Sequence, residues 1–212
     1  PTETVISSFF RYRTRPRYAF AKQVGVMMRK HILEARPEDR GHLIAYVRRP
    51  DTVDLVPHLH ALNHPIRVYG LGRQPRFGSV EFREIHPTRF LEDLATASAL
   101  VTTAGNQLVG EALYLEKPVF AVPEPNNREQ DINAHFVRAM GVGEASSAGT
   151  LTRDRLASFM EKVPFYRARI NRQSMCGNTV AARIIEDHLN GTFAPEAGRL
   201  VPTPLVSRHA VA

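Results

Sequence analysis

The 212-residue chain has a single cysteine, Cys176, so no disulfide can form within it. It has no apolar run near the roughly 18 residues that a membrane-spanning helix needs. No charged-then-apolar signal opens the chain, which makes a cytoplasmic setting the expectation. Without such a signal, Asn190-Gly191-Thr192 reads as a chance sequon. There is no internal repeat and no Asp-x-Asp pair, and no metal site is expected. "GLG" at 70–72 lacks the third glycine of a dinucleotide fingerprint and opens no helix. His58, His60 and His64 lack a thiolate or carboxylate companion and sit between Pro57 and Pro65, so they read as surface histidines rather than zinc ligands. Cys176 has no paired histidine and reads as a buried or idle thiol.

The chain does carry charge. Its formal net charge is +7 with 43% hydrophobic residues, which suits a globular core and an anionic partner without choosing among phosphate, nucleic acid and membrane surface. Arg11, Arg13, Arg15 and Arg17 alternate with Phe9, Phe10, Tyr12 and Tyr18. Such a strip can track a nucleic-acid backbone and stack bases. No nucleic-acid-binding motif accompanies it, and a linker or edge segment that has lost its covering domain is the preferred reading. The opening at Pro1, without an evident domain start, leads to the expectation of a piece of a longer protein.

From His42 the pattern turns regular. "HLIAYV", "IRVYGLG", "VEFREI", "ALVTTAG" and "KPVFAVP" read as strands. Helices are expected from Asp51 to about Leu62, over 88–97, 106–115 and 129–141, from Leu151 to Met160 and from Asn178 to Leu189. Strands alternating with helices of about ten residues predict an α/β fold, a Rossmann-like doubly wound parallel sheet. Three regions follow: 1–40 as a linker or edge segment from a missing N-terminal domain, 41–190 as a ligand-binding domain, and 191–212 as an extended or disordered tail.

In such a sheet, ligands sit outside the carboxyl ends of the strands. Two strands end at 102–105 and 122–125, so both loops should face one crevice. The chain passes from Gly105 into a helix whose free N–H groups suit phosphate, and the missing side chain lets an anion approach the backbone. Glu111 can accept two hydroxyl hydrogen bonds, as the 2′ and 3′ hydroxyls of a ribose would offer, although spacing alone favours a solvated helix glutamate. Glu129 and Gln130 offer acceptors and an amide to a polyhydroxylated group, or simply complement a helix start. Arg128 could meet a phosphate or be solvated.

The stretch "FLEDLATASALVTTAGNQLVGEALYLEKPVFAVPEPNNREQDINAHFVRAMGVG" resembles the donor-binding half of GT-B glycosyltransferases, in the branch of the MurG-type N-acetylglucosaminyl transferases and UDP-glycosyltransferases. The shared pattern is Gly105, Glu111, Lys117-Pro118, Glu129, Gln130, Asn133 and Ala134, and the resemblance covers roughly residues 41–188. It implies that Ala104, Gly105, Asn106, Gln107 and Leu108 hold a diphosphate, Glu111 the ribose, and Glu129 and Gln130 the donor sugar. It implies that His86 to Leu91, with Phe90 and Leu91, presents backbone to a base, usually uracil. Arg48 and Arg49 stand where relatives have a glycine- or serine-containing loop, a departure that leaves base and sugar open.

The resemblance further implies a nucleotide-sugar donor as substrate and no cofactor. It implies an N-terminal acceptor domain of the same protein as partner, and a catalytic base in that half, so that none is assigned here. Peripheral membrane attachment stays open, and nucleic acid is not the expected partner. Two alternatives remain: a UDP-sugar 2-epimerase using the same crevice, and a basic nucleic-acid-binding module using the 9–18 strip.

Overall fold

The computed structural model describes residues 4–48 and 54–190. Its centre is a six-stranded, all-parallel sheet of β3 (Leu43–Tyr46), β4 (Ile66–Tyr69), β5 (Val80–Arg83), β6 (Ala99–Thr102), β7 (Val119–Ala121) and β8 (Gly143–Ala145). The spatial order is β5-β4-β3-β6-β7-β8. The chain therefore builds outward from β3 in one direction, returns, and builds outward in the other. The reversal lies between β3 and β6, which pair from Leu43↔Ala99 to Tyr46↔Thr102.

These strands are short and apolar on both sides, as a sheet covered by helices on both faces requires. Alternation within each strand sorts the core into two layers. Ile44, Tyr69, Leu100, Val119 and Ala121 face one layer. There they meet α3 (Pro87–Thr96), α4 (Asn106–Tyr114) and α5 (Arg128–Ala139) through Leu94, Val109, Leu113 and Val137. Leu43, Ala45, Val68, Val101 and Phe120 face the other. That layer is closed by α2 (Val56–His60), α6 (Arg153–Glu161) and α7 (Val163–Arg167) through Leu59, Leu156, Phe159 and Tyr166. The doubly wound α/β expectation holds, and the helices over 88–97, 106–115 and 129–141 stand within a residue or two of their expected ends. The cap expected of Asp51 lies outside the described residues, as do Arg49 and the 191–212 tail.

Within the 1–40 region, expected as a linker or edge segment, residues 4–40 carry regular structure. β1 (Thr4–Ser7) and β2 (Ala21–Val24) form a separate two-stranded parallel sheet, followed by α1 (Lys30–Glu34). Phe9, Phe10, Val26, Met28 and Ile32 join the first core layer, and the Phe10 ring stacks on Phe136 with centroids 3.7 Å apart. The segment also docks on the loop between α8 (Arg172–Met175) and α9 (Asn178–Leu189), where Val26 N donates to Met175 O and Gly177 N donates to Val26 O. Arg11 to Phe20 form the exposed connection between β1 and β2, and no described acidic side chain pairs with Arg11, Arg13, Arg15 or Arg17.

The amino end of the sheet is tied by polar contacts that the sequence did not announce. Lys117, in the "KP" turn, is fully buried; its ammonium donates to Glu38 O. Burial first, and then the Arg167 charge, lower its pKa to about 8. Asp39 accepts from Ser98 Oγ (2.6 Å), Gly41 N (3.0 Å) and Arg167 Nη2 (2.7 Å). Partial burial pushes the Asp39 carboxyl up, but those three donors outweigh it and bring its pKa to about 2. A carboxylate with a depressed folded pKa stabilises above its unfolded value and stops doing so as the pH falls through the folded one. Asp39 should therefore support the fold above about pH 4 and cease to do so as the pH drops toward about 2. In urea titrations across that window, Asp39→Asn should flatten the acid limb of the stability curve while leaving its slope with urea unchanged.

Candidate functional site

The reversal of strand order lies between β3 and β6, and the carboxyl end of an open parallel sheet at such a reversal is where ligands are taken. Thr103, Ala104 and Gly105 lead from β6 into α4. Gly105 is the cap residue, and no side chain accepts from the first-turn amides. Those N–H groups have no intrahelical acceptor, so they carry the positive end of the helix dipole into the crevice. Gly105 itself has ordinary backbone angles, and a side chain built there would meet nothing within 4 Å. Its value is the open space it leaves.

Ala104 has φ 66°, and its carbonyl accepts from Asn133 Nδ2 at 2.8 Å. That bond ties the turn before α4 to α5. Asn106 turns the other way: its Nδ2 donates to Ser7 O (3.2 Å) and its Oδ1 accepts from Phe9 N (3.4 Å). A cavity of about 550 Å³ opens between these pieces, with Ser8, Phe10, Asn106, Glu129, Asn133 and Phe136 in its walls. Asn106, the first residue of α4, and Glu129 thus line one space, whereas the 102–105 and 122–125 loops expected to share a crevice do not line it.

The "NNREQD" knot resolves into separate jobs. Asn127 caps α5, its Oδ1 accepting from Gln130 N at 3.2 Å. Gln130 is buried and braces its own loop, with Oε1 accepting from Glu124 N at 2.7 Å. Glu129 is exposed, and among the described residues it has no partner. Of the two, Glu129 is the side chain offered to the cavity.

Glu111 is not the solvated glutamate that spacing favoured. It is 1% exposed and fully engaged. Arg29 Nε donates to Oε1 at 2.8 Å, Arg29 Nη2 to Oε2 at 2.6 Å, and Gln107 Nε2 to Oε1 at 2.8 Å. Gln107 Nε2 also donates to Met27 O at 2.9 Å. Glu111 and Gln107 lie on one flank of α4, four residues apart, and that flank receives the chain between β2 and α1. Glu111 does not line the cavity shared by Asn106 and Glu129. A pentose reaches its oxygens only when Arg29 gives way.

The remaining expected residues are placed as follows. Phe90 and Leu91 are buried core residues, and the Phe90 ring packs edge-on against Tyr46 (5.6 Å) and Tyr69 (4.9 Å). The Phe90 N–H is spent on His86 O, so any backbone offered to a ligand from this segment lies before it. Leu108 is partly buried against the first core layer. Arg48 is exposed just beyond β3, at the reversal point, with no partner among the described residues. His60 packs on Phe77 at 4.1 Å, and no group of three metal-ligating side chains occurs among the described residues. Sequence reasoning did not find Arg29, because its partner lies 82 positions away and nothing local marks it.

Among the described residues, no helix is long and apolar enough to cross a membrane. The sequence pattern of glycosyl transferase family 1 matches residues 1–164. An uncharacterised glycosyltransferase of Methanopyrus kandleri is 32% identical over 126 residues, covering 57% of this chain and 33% of that protein. Among solved structures, the glycosyltransferase of kitacinnamycin aligns with a TM-score of 0.63 at 17% identity, over 81% of this chain and 51% of that one. MurG of Acinetobacter baumannii aligns at 0.61 and 16%, over 88% and 60%, and the calicheamicin glycosyltransferase CalG4 at 0.58 and 20%, over 82% and 50%. The chain thus spans about a third of the curated relative and half or slightly more of each structure. With most of its length matched, this chain belongs to glycosyl transferase family 1, and its six-stranded domain has the Rossmann-like GT-B fold of these structures.

Proposed function

We propose that this chain is the donor-binding half of a glycosyltransferase, one that moves a sugar from a nucleoside-diphosphate sugar, with uridine as the expected nucleoside, to an acceptor held by a preceding half. The observation that carries this reading is the uncapped start of α4, whose first residue, Asn106, lines the same cavity as Glu129. As the glycosidic bond to the diphosphate breaks, negative charge grows on the departing oxygen. Fixed amides aimed at that charge stabilise it without reorganising. Glu129 is placed to accept from sugar hydroxyls, while Gln130 and Asn127 hold the loop that carries it. The catalytic base is assigned to the preceding half. The family match, which includes β1 and β2, and the half-length coverage of the GT-B structures support that division.

Thermal melting with nucleoside diphosphates tests the reading. Millimolar UDP should raise the melting temperature, and Gly105→Leu should abolish the rise. The leucine side chain meets no protein atom near its Cβ, so the melting temperature without ligand should stay within a few degrees of wild type. No shift with UDP, ADP, GDP or dTDP would reject the proposal.

A further inference from the structure

The positive charge of this chain is segregated. From Thr4 to Leu33 there are seven lysines and arginines and no aspartate or glutamate. That stretch equals the whole formal net charge of +7, so the rest of the chain is balanced. Arg11, Arg13, Arg15 and Arg17 lie on the connection between β1 and β2, where no described acidic side chain pairs with them.

The connection is fastened at its base. Phe9 and Phe10 are buried in the first core layer. Tyr12 N donates to Gln23 Oε1 (3.0 Å) and Gln23 Nε2 donates to Tyr12 O (2.6 Å), so a side chain of β2 closes the loop much as a further strand would. Beyond that clamp Arg15 to Phe20 are all exposed, and the short helical turn Pro16–Tyr18 buries nothing. The loop nevertheless displays apolar surface. Tyr18 is 46% and Phe20 54% exposed, and their rings adjoin edge-on with centroids 6.3 Å apart. Two adjoining rings among unpaired guanidinium groups suit a surface that is anionic outside and apolar beneath. They suit nucleic acid less well. The Arg17 guanidinium lies 4.8 Å over the Tyr18 ring and Phe20 meets the same ring, so Tyr18 is no open platform for a base.

We propose that the 11–20 connection is a docking loop for an anionic lipid surface. Its arginines meet the headgroups, while Phe20, with Tyr18, enters the apolar boundary below them. Charge and a small apolar anchor together give an attachment that neither gives alone. The proposal stands apart from what the crevice binds.

Co-sedimentation with vesicles tests it. At low salt the chain should pellet with vesicles of equal parts phosphatidylserine and phosphatidylcholine, and stay in solution with phosphatidylcholine alone. Added salt should release it. Replacing Arg13, Arg15 and Arg17 together by glutamine should weaken binding about 100-fold, at about fivefold for each arginine near such a surface. Phe20→Ser keeps every charge and should weaken binding about 5- to 10-fold with the salt dependence unchanged. All these side chains are exposed, so the variants should melt as wild type does. If the triple variant does not fold, Arg15→Gln carries the test with its about fivefold loss.

No pelleting with the anionic vesicles at low salt would overturn the proposal. So would binding that survives the triple replacement, or binding indifferent to Phe20→Ser, which would leave only a nonspecific basic charge. A single-stranded oligonucleotide bound more tightly than the vesicles, with affinity lost in Tyr18→Ser, would assign the loop to nucleic acid instead. Vesicle binding that vanishes when the proposed preceding half is present would show that this half covers the loop, and would equally overturn the proposal.

Discussion

Replacing Asp93 by alanine should destabilise the fold by about 3–5 kcal/mol, the usual cost of removing one partner from a buried ion pair. For a chain of this size that is a fall of about 6–20 °C in melting temperature. Asp93 lies on the sheet-facing side of α3 with a side chain 10% exposed. Its Oδ1 accepts from Arg67 Nη1 at 2.7 Å, and its Oδ2 accepts from Tyr69 OH and from Arg83 Nη1. Without it the two arginines fare differently. Arg83 keeps Glu81, which accepts from Nε at 2.9 Å and from Nη2 at 3.0 Å. Arg67 is left beside the His42 ring nitrogen, in a setting where its side chain is 28% exposed. Burial, and then the Arg67 charge, already hold His42 below its usual pKa, and an imidazole carries no negative charge with which to offset the stranded cation.

Adding Arg67→Met to Asp93→Ala should therefore recover part of the loss, because the unpaired charge goes with it. Glu81→Ala, which removes a carboxylate 48% exposed, should cost under about 1 kcal/mol. If Asp93→Ala melts within a degree or two of wild type, the network is not the tie between α3 and the β3–β5 edge that its geometry describes.

The second large effect is expected at Gly177. A methyl group there would stand 2.1 Å from Gly25 O and 2.6 Å from Gly25 C. These are backbone atoms, so no side chain can swing away, and the two strands of chain must part. Parting breaks Gly177 N to Val26 O (2.9 Å) and Val26 N to Met175 O (2.7 Å), the bonds that hold the N-terminal segment against the α8–α9 loop. Overpacking costs about 1–3 kcal/mol and each lost hydrogen bond about 1 kcal/mol. Gly177→Ala should therefore lose about 3–5 kcal/mol in total.

The loss should also be local in origin. Limited proteolysis of Gly177→Ala should cut first between residues 9 and 30, while fragments containing the six-stranded sheet persist. Uniform digestion of the whole chain would show instead that the segment and the sheet unfold as one unit.

Much of the sheet was legible because each central strand is a short apolar run ended by glycine, proline or charge. "HLIAYV" and "ALVTTAG" have few other readings once helices flank them. The starts of α3 and α5 are fixed by His86 and Asn127, whose side chains accept from the third residue on, a signal the sequence reading did not use. β1 was not legible. "TVIS" is four residues long, and what holds it is β2, seventeen positions on at Thr4↔Ala21 and unlike it in pattern. The 9–18 strip hid Phe9 and Phe10 the same way. Next to so many arginines they read as surface aromatics, and only their distance from Phe136 in space says otherwise.

At the candidate site, the helix start after Gly105 followed from local pattern. The state of Glu111 did not, since a carboxylate's exposure depends on a chain segment that spacing within α4 cannot see. Lys117 is the same lesson at the other end of the sheet: its burial goes with a contact to Glu38 O, 79 positions away, which no local pattern shows.

Ala104 carries one more implication. A methyl-bearing residue in the left-handed region costs about 1–2 kcal/mol relative to ordinary angles, and nothing in its immediate neighbours demands that shape. The amide of Asn133, reaching across from α5, is what its carbonyl meets there. The turn before α4 and the face of α5 are in that sense one mechanical part, since a single side chain fastens the bend of the one to the other.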